Sequence, residues 1–345
     1  MNERIERLRA SLEEPLLVTN PVSVRYLTGF VSSNPALVVD EDRVTLYTDF
    51  RYAETAAKVE GVEFVQVKRA IYKDLAPRLS GRVGFEADYV TYGIYEHLAT
   101  GEAELVPRHG LVEALRAVKD EDELQAMHAA SAITSEAYAR LAAEPFVGKP
   151  ERELAWRMEQ LFHELGAEGP AFETIVAGGE NGARPHTEPG DRKIGAGELV
   201  VIDAGCTLNG YCSDCTRTFA TGALSERLEE IYDVCLKAQE AALERIRAGV
   251  SGREADAAAR DPIAAAGFGD AFGHGLGHGV GLMVHEGPRL AETSEDTLVP
   301  DNVVTVEPGI YLSGLGGVRI EDLVVVTDNG PEVLTSFTKE LVTLN

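Results

Sequence analysis

Four carboxylates arranged as two pairs have the most chemistry to offer in this chain. In the stretch 198–219, ELVVIDAGCTLNGYCSDCTRTF, Asp203 and Asp214 lie nearly equidistant from Leu208-Asn209-Gly210, and Asn-Gly is the turn chemistry that joins antiparallel strands. Glu307 and Glu321 repeat the arrangement about the glycine-rich turn 313–317. Residues equidistant from a hairpin turn come opposite each other with Cβ atoms about 5 Å apart, where like charges repel. If the two hairpins face each other, about four negative charges crowd together and raise the carboxyl pKa values unless cations stand between them. Two divalent metal ions would balance that charge.

The histidines narrow the chemistry. His186 stands in GARPHTEP, and His274, His278 and His285 in FGHGLGHGVGLMVHEGP. The spacing of His274 and His278 imitates a helical metal pair, but glycine at 273, 275, 277, 279 and 281 is incompatible with a stable helix. An extended backbone is expected instead, which would put both imidazoles on one face of a strand. His97 and His109 stand alone among ordinary neighbours and are expected to be bystanders.

The elements that must position these groups fall into two textures. Residues 1–115 have a helical pattern at 3–11 and strand patterns at 16–19, 36–39, 44–47, 64–67 and 82–85, which implies a mixed or parallel sheet covered by helices. Beyond that, Asp120 is placed to cap a long helix over 121–143, and Pro150 in a first-turn position opens another over 151–165. Further helices are expected over 225–247 and 253–266, with Pro262 ending or kinking the last. Helix pairs alternating with hairpins point to an α+β domain over 116–345, in which helices back a curved antiparallel sheet. The two carboxylate hairpins hint at an internal two-fold within it.

Composition excludes several partners. The 345 residues are 44% apolar and 26% charged, ordinary for a globular protein, and a formal charge of −25 without a basic tract argues against nucleic acid and anionic membrane. No run approaches the roughly 18 apolar residues of a membrane span, and the charged start of the chain has no apolar h-region, so a cytoplasmic location is the expectation. Cys212 and Cys215 have C-x-x-C spacing, yet a strand would send them to opposite faces, so all four cysteines are expected to be reduced and buried.

The contexts D-A-G at Asp203, S-D-C-T-R-T at Asp214, G-H-G-L-G-H-G at His278, V-E-P-G-I-Y at Glu307 and G-V-R-I-E-D at Glu321 resemble the pita-bread metallopeptidases. V-H-E-G-P and N-P-V-S-V-R-Y-L-T-G-F resemble the proline-specific branch, prolidase and aminopeptidase P. The resemblance covers nearly the whole chain and implies a creatinase-like α/β N-terminal domain over 1–115 and a pita-bread catalytic domain over 116–345. It implies that Asp203 chelates one metal ion, that His278 and Glu307 hold the other, and that Asp214 and Glu321 bridge. One imidazole with four carboxylates suits Mn²⁺, with Co²⁺, Zn²⁺ or Fe²⁺ as competitors. By the same resemblance Glu307 also relays a proton, His285 and His186 polarise the substrate carbonyl, and His274 lines the pocket. Arg289 matches an arginine that prolidases use near the substrate, and Arg319 one beside the bridging glutamate, where orienting Glu321 is the favoured role.

The implied substrates are short peptides with proline at the second position. Their scissile bond is a tertiary amide without the N–H by which other peptidases position substrate. A dipeptidase would read the free carboxylate of Xaa-Pro through Arg289, whereas an aminopeptidase P-like enzyme would act on longer peptides. Methionine aminopeptidase shares the five ligands but neither the N-terminal domain nor the His186 context. A non-catalytic binding protein of the same fold, or a metal-free creatinase, would not need the complete ligand set. A homodimer is expected from the family.

Overall fold

The structure is a computed structural model that describes residues 3–344 and divides into two compact units, Met1–Arg116 and Ala117–Asn345. Met1, Asn2 and Asn345 lie outside the described residues.

The first unit is built on a six-stranded mixed sheet in the order Glu63–Val67, Val44–Asp49, Ala36–Val39, Leu16–Val18, Arg82–Glu86, Glu104–Arg108. Five of these strands are the expected ones. The sixth, ELVPR, was not foreseen because Pro107 argues against a strand, but it lies at the sheet edge, where a missing N–H costs little. The motif N-P-V-S-V-R-Y-L-T-G folds as the helix Pro21–Thr28. Asn20 Oδ1 accepts from Val22 N at 3.0 Å, and Gly29 closes the helix at φ 71°. Leu17, Val67, Ile71, Leu75, Val83 and Leu98 form the core of this unit.

The second unit has two helix pairs, each backing one carboxylate hairpin. Glu121–Leu141 and Glu151–Glu164 bury Tyr138, Leu141, Leu154, Met158 and Phe162 against Val200, Ile202 and Phe219. Glu226–Arg245 and Gly252–Ala265 bury Ile231, Cys235, Ala242, Ala259 and Ile263 against Val304, Val306, Ile310 and Val324. Capping boxes at Asp120/Glu123 and Ser251/Glu254 start the first and last of these helices. Pro150 is the N-cap of its helix rather than a first-turn residue. Pro262 does not end the last helix, which continues to Ala265; so near the C-terminus the proline removes only one helical donor.

Both hairpins change sheets where the carboxylates stand. Leu199–Asp203 pairs with Thr216–Ala220 and with Ile175–Gly178, while Cys206–Leu208 and Tyr211–Cys212 continue the hairpin in another sheet. Its turn is Asn209-Gly210, at φ 52° and 82°, as a two-residue turn with both φ positive requires. The expectation that Asp203 faces Asp214 is corrected by the register: Asp203 pairs with Thr216, and Asp214 is its diagonal neighbour on the same face. Gly205 lies beside this crossing, and a Cβ there would stand 1.9 Å from Ser213 O. In the second hairpin Val303–Val306 pairs with Asp322–Thr327, and Gly309–Leu312 with Gly316–Arg319. Glu307 and Glu321 occupy the gap between those two ladders.

The C-x-x-C pair also departs from a continuous strand, since Cys212 ends one strand and Cys215 precedes the next. All four cysteines are buried and free. Among the described residues no helix is long and apolar enough to cross a membrane.

Candidate active site

A cavity of about 1120 Å³ in the second unit is lined by every residue singled out from the sequence: His186, Asp203, Asp214, His274, His278, His285, Arg289, Glu307, Arg319 and Glu321. At its floor one oxygen each of Asp203, Asp214 and Glu321 lie within 4.8 Å of one another. Burial, then the charges of Glu321, Asp203 and Glu307, push the Asp214 carboxyl well above the usual range. Burial, then Glu307 and Asp203, do the same to Glu321. Asp203 is raised by burial, against the pull of Arg319.

His278 brings nitrogen to this cluster. The strand Gly277–Gly279 runs so close to its neighbour that a Cβ on Gly277 would meet Thr305 O at 2.1 Å, which accounts for glycine beside the histidine. His278 Nδ1 faces its neighbour's carbonyl, Gly279 O, at 3.1 Å and must donate to it, which turns Nε2 toward Glu307 Oε1 at 3.2 Å and Asp214 Oδ2 at 3.8 Å. Burial lowers the His278 pKa, but the hydrogen bond and charge of Glu307 outweigh it and raise it. Burial likewise lifts Glu307, yet His278, with His274 and Arg319, brings it down to about 2.

Carboxylates thus face carboxylates across the cluster, and Asp203 Oδ1 is buried with no hydrogen-bond partner. Oxygen-rich, mutually repelling and partly unpartnered, this donor set fits divalent cations.

Partners one step out hold the cluster. Thr305 Oγ1 accepts from His278 N at 3.1 Å and donates to Glu307 Oε1 at 3.0 Å; Thr216 Oγ1 donates to Glu321 Oε2 at 2.7 Å. Neither threonine was singled out from sequence, although each stands two residues from a carboxylate along an extended segment and so shares its face. Arg319 Nη2 donates to Asp203 Oδ2 at 2.7 Å, Nε to Thr216 Oγ1 at 3.1 Å, and Nη1 to Tyr311 OH at 3.0 Å. The guanidinium of Arg319 is buried among protein acceptors, and it orients Asp203 directly and Glu321 only through Thr216.

His274 departs from expectation. It precedes the strand instead of sharing a face with His278. Its Nδ1 faces Gly275 O at 2.8 Å, and its Nε2 accepts from Tyr311 OH at 2.9 Å, joining the same network. Burial lowers its pKa, and burial followed by the charge of His278 lowers that of His285. The His285 ring is exposed, 4.4 Å from that of His278. His186 is exposed in the loop between Ile175–Gly178 and Leu199–Asp203. His97 and His109 lie in the other unit.

Behind Glu321 is a buried ionic network the sequence did not reveal. Arg217 donates to Asp322 Oδ1 at 2.8 Å and to the backbone oxygens of Glu321 and Phe337; Lys339 Nζ and Gln239 Nε2 reach Asp322 Oδ2 at 2.8 and 2.9 Å. Asp322→Ala leaves a buried arginine without its carboxylate and is expected to cost about 3–5 kcal/mol, read as a lowered denaturation midpoint. An unchanged midpoint would show that the network contributes nothing.

The two broken hairpins, each backed by a helix pair and together framing a carboxylate cluster with one imidazole, define a metal-binding α+β hydrolase fold. Residues 125–328 match metallopeptidase family M24, and residues 4–118 match the creatinase/prolidase N-terminal domain. The chain belongs to metallopeptidase family M24. It is 37% identical to the Xaa-Pro dipeptidase of Pyrococcus furiosus, over 99% of this chain and 100% of that one. Among solved structures, an Xaa-Pro dipeptidase from Bacillus anthracis is 40% identical with a TM-score of 0.96, covering 99% of each chain. An X-Pro aminopeptidase from Thermotoga maritima is 34% identical with a TM-score of 0.90, covering 99% of this chain and 100% of that one.

Proposed function

We propose that this protein is an Xaa-Pro dipeptidase, hydrolysing the bond before proline in two-residue peptides with two divalent metal ions. The observation that carries the dipeptidase reading is Arg289. It stands directly across the strand pair from His278, its backbone N–H is fixed on Asp296 Oδ2 at 2.7 Å, and its exposed side chain lines the cavity without an ion-pair partner among the described residues. A guanidinium so placed suits the free carboxylate of a dipeptide.

Asp203 would hold one ion and His278 and Glu307 the other, with Asp214 and Glu321 shared between them. Manganese suits this oxygen-rich set. The ions, when bound, lower the pKa of a water and polarise the carbonyl. Glu307 accepts a proton and passes it toward the leaving proline nitrogen. His285 and His186 donate to the oxygen on which charge develops. Arg319 and the two threonines hold the carboxylates in place. The protein acts as a homodimer, in keeping with the family resemblance.

Arg289→Ala is expected to raise KM for Ala-Pro roughly ten- to a hundredfold while sparing Ala-Pro-Ala, since a charge-assisted pair contributes about 1.5–3 kcal/mol. Equal loss on both peptides would remove the carboxylate role.

A second reading is an aminopeptidase acting on longer peptides. The cavity favours it, because about 1120 Å³ exceeds the roughly 300–1,000 Å³ of ordinary small-molecule sites.

A further inference from the structure

We propose that Glu151 is a positioning residue for His186, acting by pinning the cavity-wall loop at both ends. This rests on the reading of His186 as a donor to the substrate oxygen. Glu151 opens the helix Glu151–Glu164, is fully buried, and has no lysine or arginine in ion-pair range among the described residues. Its carboxylate instead receives N–H groups. Gly178 N donates to Oε1 at 2.9 Å, Gly190 N to Oε2 at 3.3 Å, and Asn181 Nδ2 lies 2.9 and 3.0 Å from the two oxygens.

Gly178 and Gly190 bracket the cavity-wall part of that loop, whose residues Pro185, His186, Thr187, Glu188 and Pro189 all line the cavity. One side chain therefore closes the root of that wall. Backbone bonds from Glu151 N to Arg192 O at 3.0 Å and from Arg152 N to Gly190 O at 3.1 Å hold the helix start to the same place. The far side is docked independently, where Gly182 packs on Gly317 and Arg319 Nη1 reaches Pro185 O at 3.4 Å. Through Arg319 the loop is tied to Asp203, so its root and tip together fix His186 relative to the carboxylate cluster.

The chemistry requires a carboxylate. The two loop ends and Asn181 present only donors, and a carboxylate accepts on both oxygens, while its charge is stabilised at the N-terminus of a 14-residue helix. Glutamine has the same shape but turns an N–H₂ toward one loop end, donor against donor. Glu151→Gln should thus release one end of the loop without emptying the core.

The test is a double-mutant cycle with manganese-loaded protein and Ala-Pro, recording kcat/KM, bound manganese and melting temperature for E151Q, H186A and the double variant. E151Q is expected to lose roughly ten- to a hundredfold in kcat/KM with bound manganese unchanged, because small displacements of a reacting group have effects of that size. In the H186A background it should cost less than about twofold. Asn181→Ala, a milder change should E151Q fold poorly, is expected to lose less and likewise nothing further without His186. Glu153→Gln, exposed on the same helix, should match the unsubstituted enzyme. A full E151Q loss repeated in the H186A background, or wild-type kcat/KM in both E151Q and N181A, would overturn the positioning role while leaving His186 in place. Undiminished activity in H186A would remove the role of His186 and this proposal with it.

Discussion

Asp214→Asn is expected to lower turnover more than about 100-fold, beyond the ~10- to 100-fold typical of losing an outer partner of a metal site. Asp214 is buried and lies with Asp203 and Glu321 inside a cluster 4.8 Å across, and its Oδ2 is 3.8 Å from His278 Nε2. Asparagine keeps the volume but removes the charge and replaces one acceptor with a donor, which no cation accepts as a ligand. Metal analysis alongside the kinetics should find fewer than two ions per chain in the variant. Turnover near that of the unsubstituted enzyme would contradict a bridging role.

Removing metal is expected to abolish hydrolysis, and Mn²⁺ or Co²⁺ to restore it. It should also give the protein a pH-dependent stability. Without cations, Asp214 and Glu321 have pKa values well above their unfolded ones, through burial and mutual charge, and His278 is raised by Glu307 against the effect of its own burial. A group whose pKa is raised on folding contributes stability below its unfolded pKa that is lost as pH rises through the folded one. Glu307 has the opposite sign, but its value of about 2 places its loss in strong acid. His274 and His285, lowered by burial, change stability only below about pH 6.5. Above about pH 6.5, then, the melting temperature of metal-free protein should fall with rising pH, and manganese should flatten the slope. A flat profile without metal would mean that the carboxylates do not repel one another as the geometry requires.

The carboxylate cluster was legible because hairpin symmetry and glycine spacing are local signals. The second hairpin keeps that symmetry: Gly309 pairs with Arg319 and Val306 with Asp322, so Glu307 and Glu321 fall opposite each other. The first does not, because Leu208 pairs with Tyr211 and the same register carried inward sets Asp214 against Gly205. A turn read one residue out moves every partner, and sequence alone does not fix that choice. The breaks in the ladders were not foreseen either; Pro308 is the one local hint, since it cannot donate to a ladder. Arg319 was assigned to Glu321 by adjacency, whereas the fold carries it across to Asp203, over 100 positions away. The partners of Glu151 lie 27 to 39 positions further along the chain. Burial of that glutamate depends wholly on them, so it reads from sequence as an ordinary first-turn acid.

Selection of a two-residue substrate rests on Arg289 reading its free carboxylate. The measurement that tests it most directly compares kcat/KM for Ala-Pro and Ala-Pro-Ala on one manganese-loaded preparation. A preference for Ala-Pro of roughly tenfold or more is expected, since the longer chain carries the negative charge beyond Arg289 and leaves a neutral amide against the guanidinium. Equal or faster cleavage of Ala-Pro-Ala would contradict the dipeptidase assignment and establish an aminopeptidase.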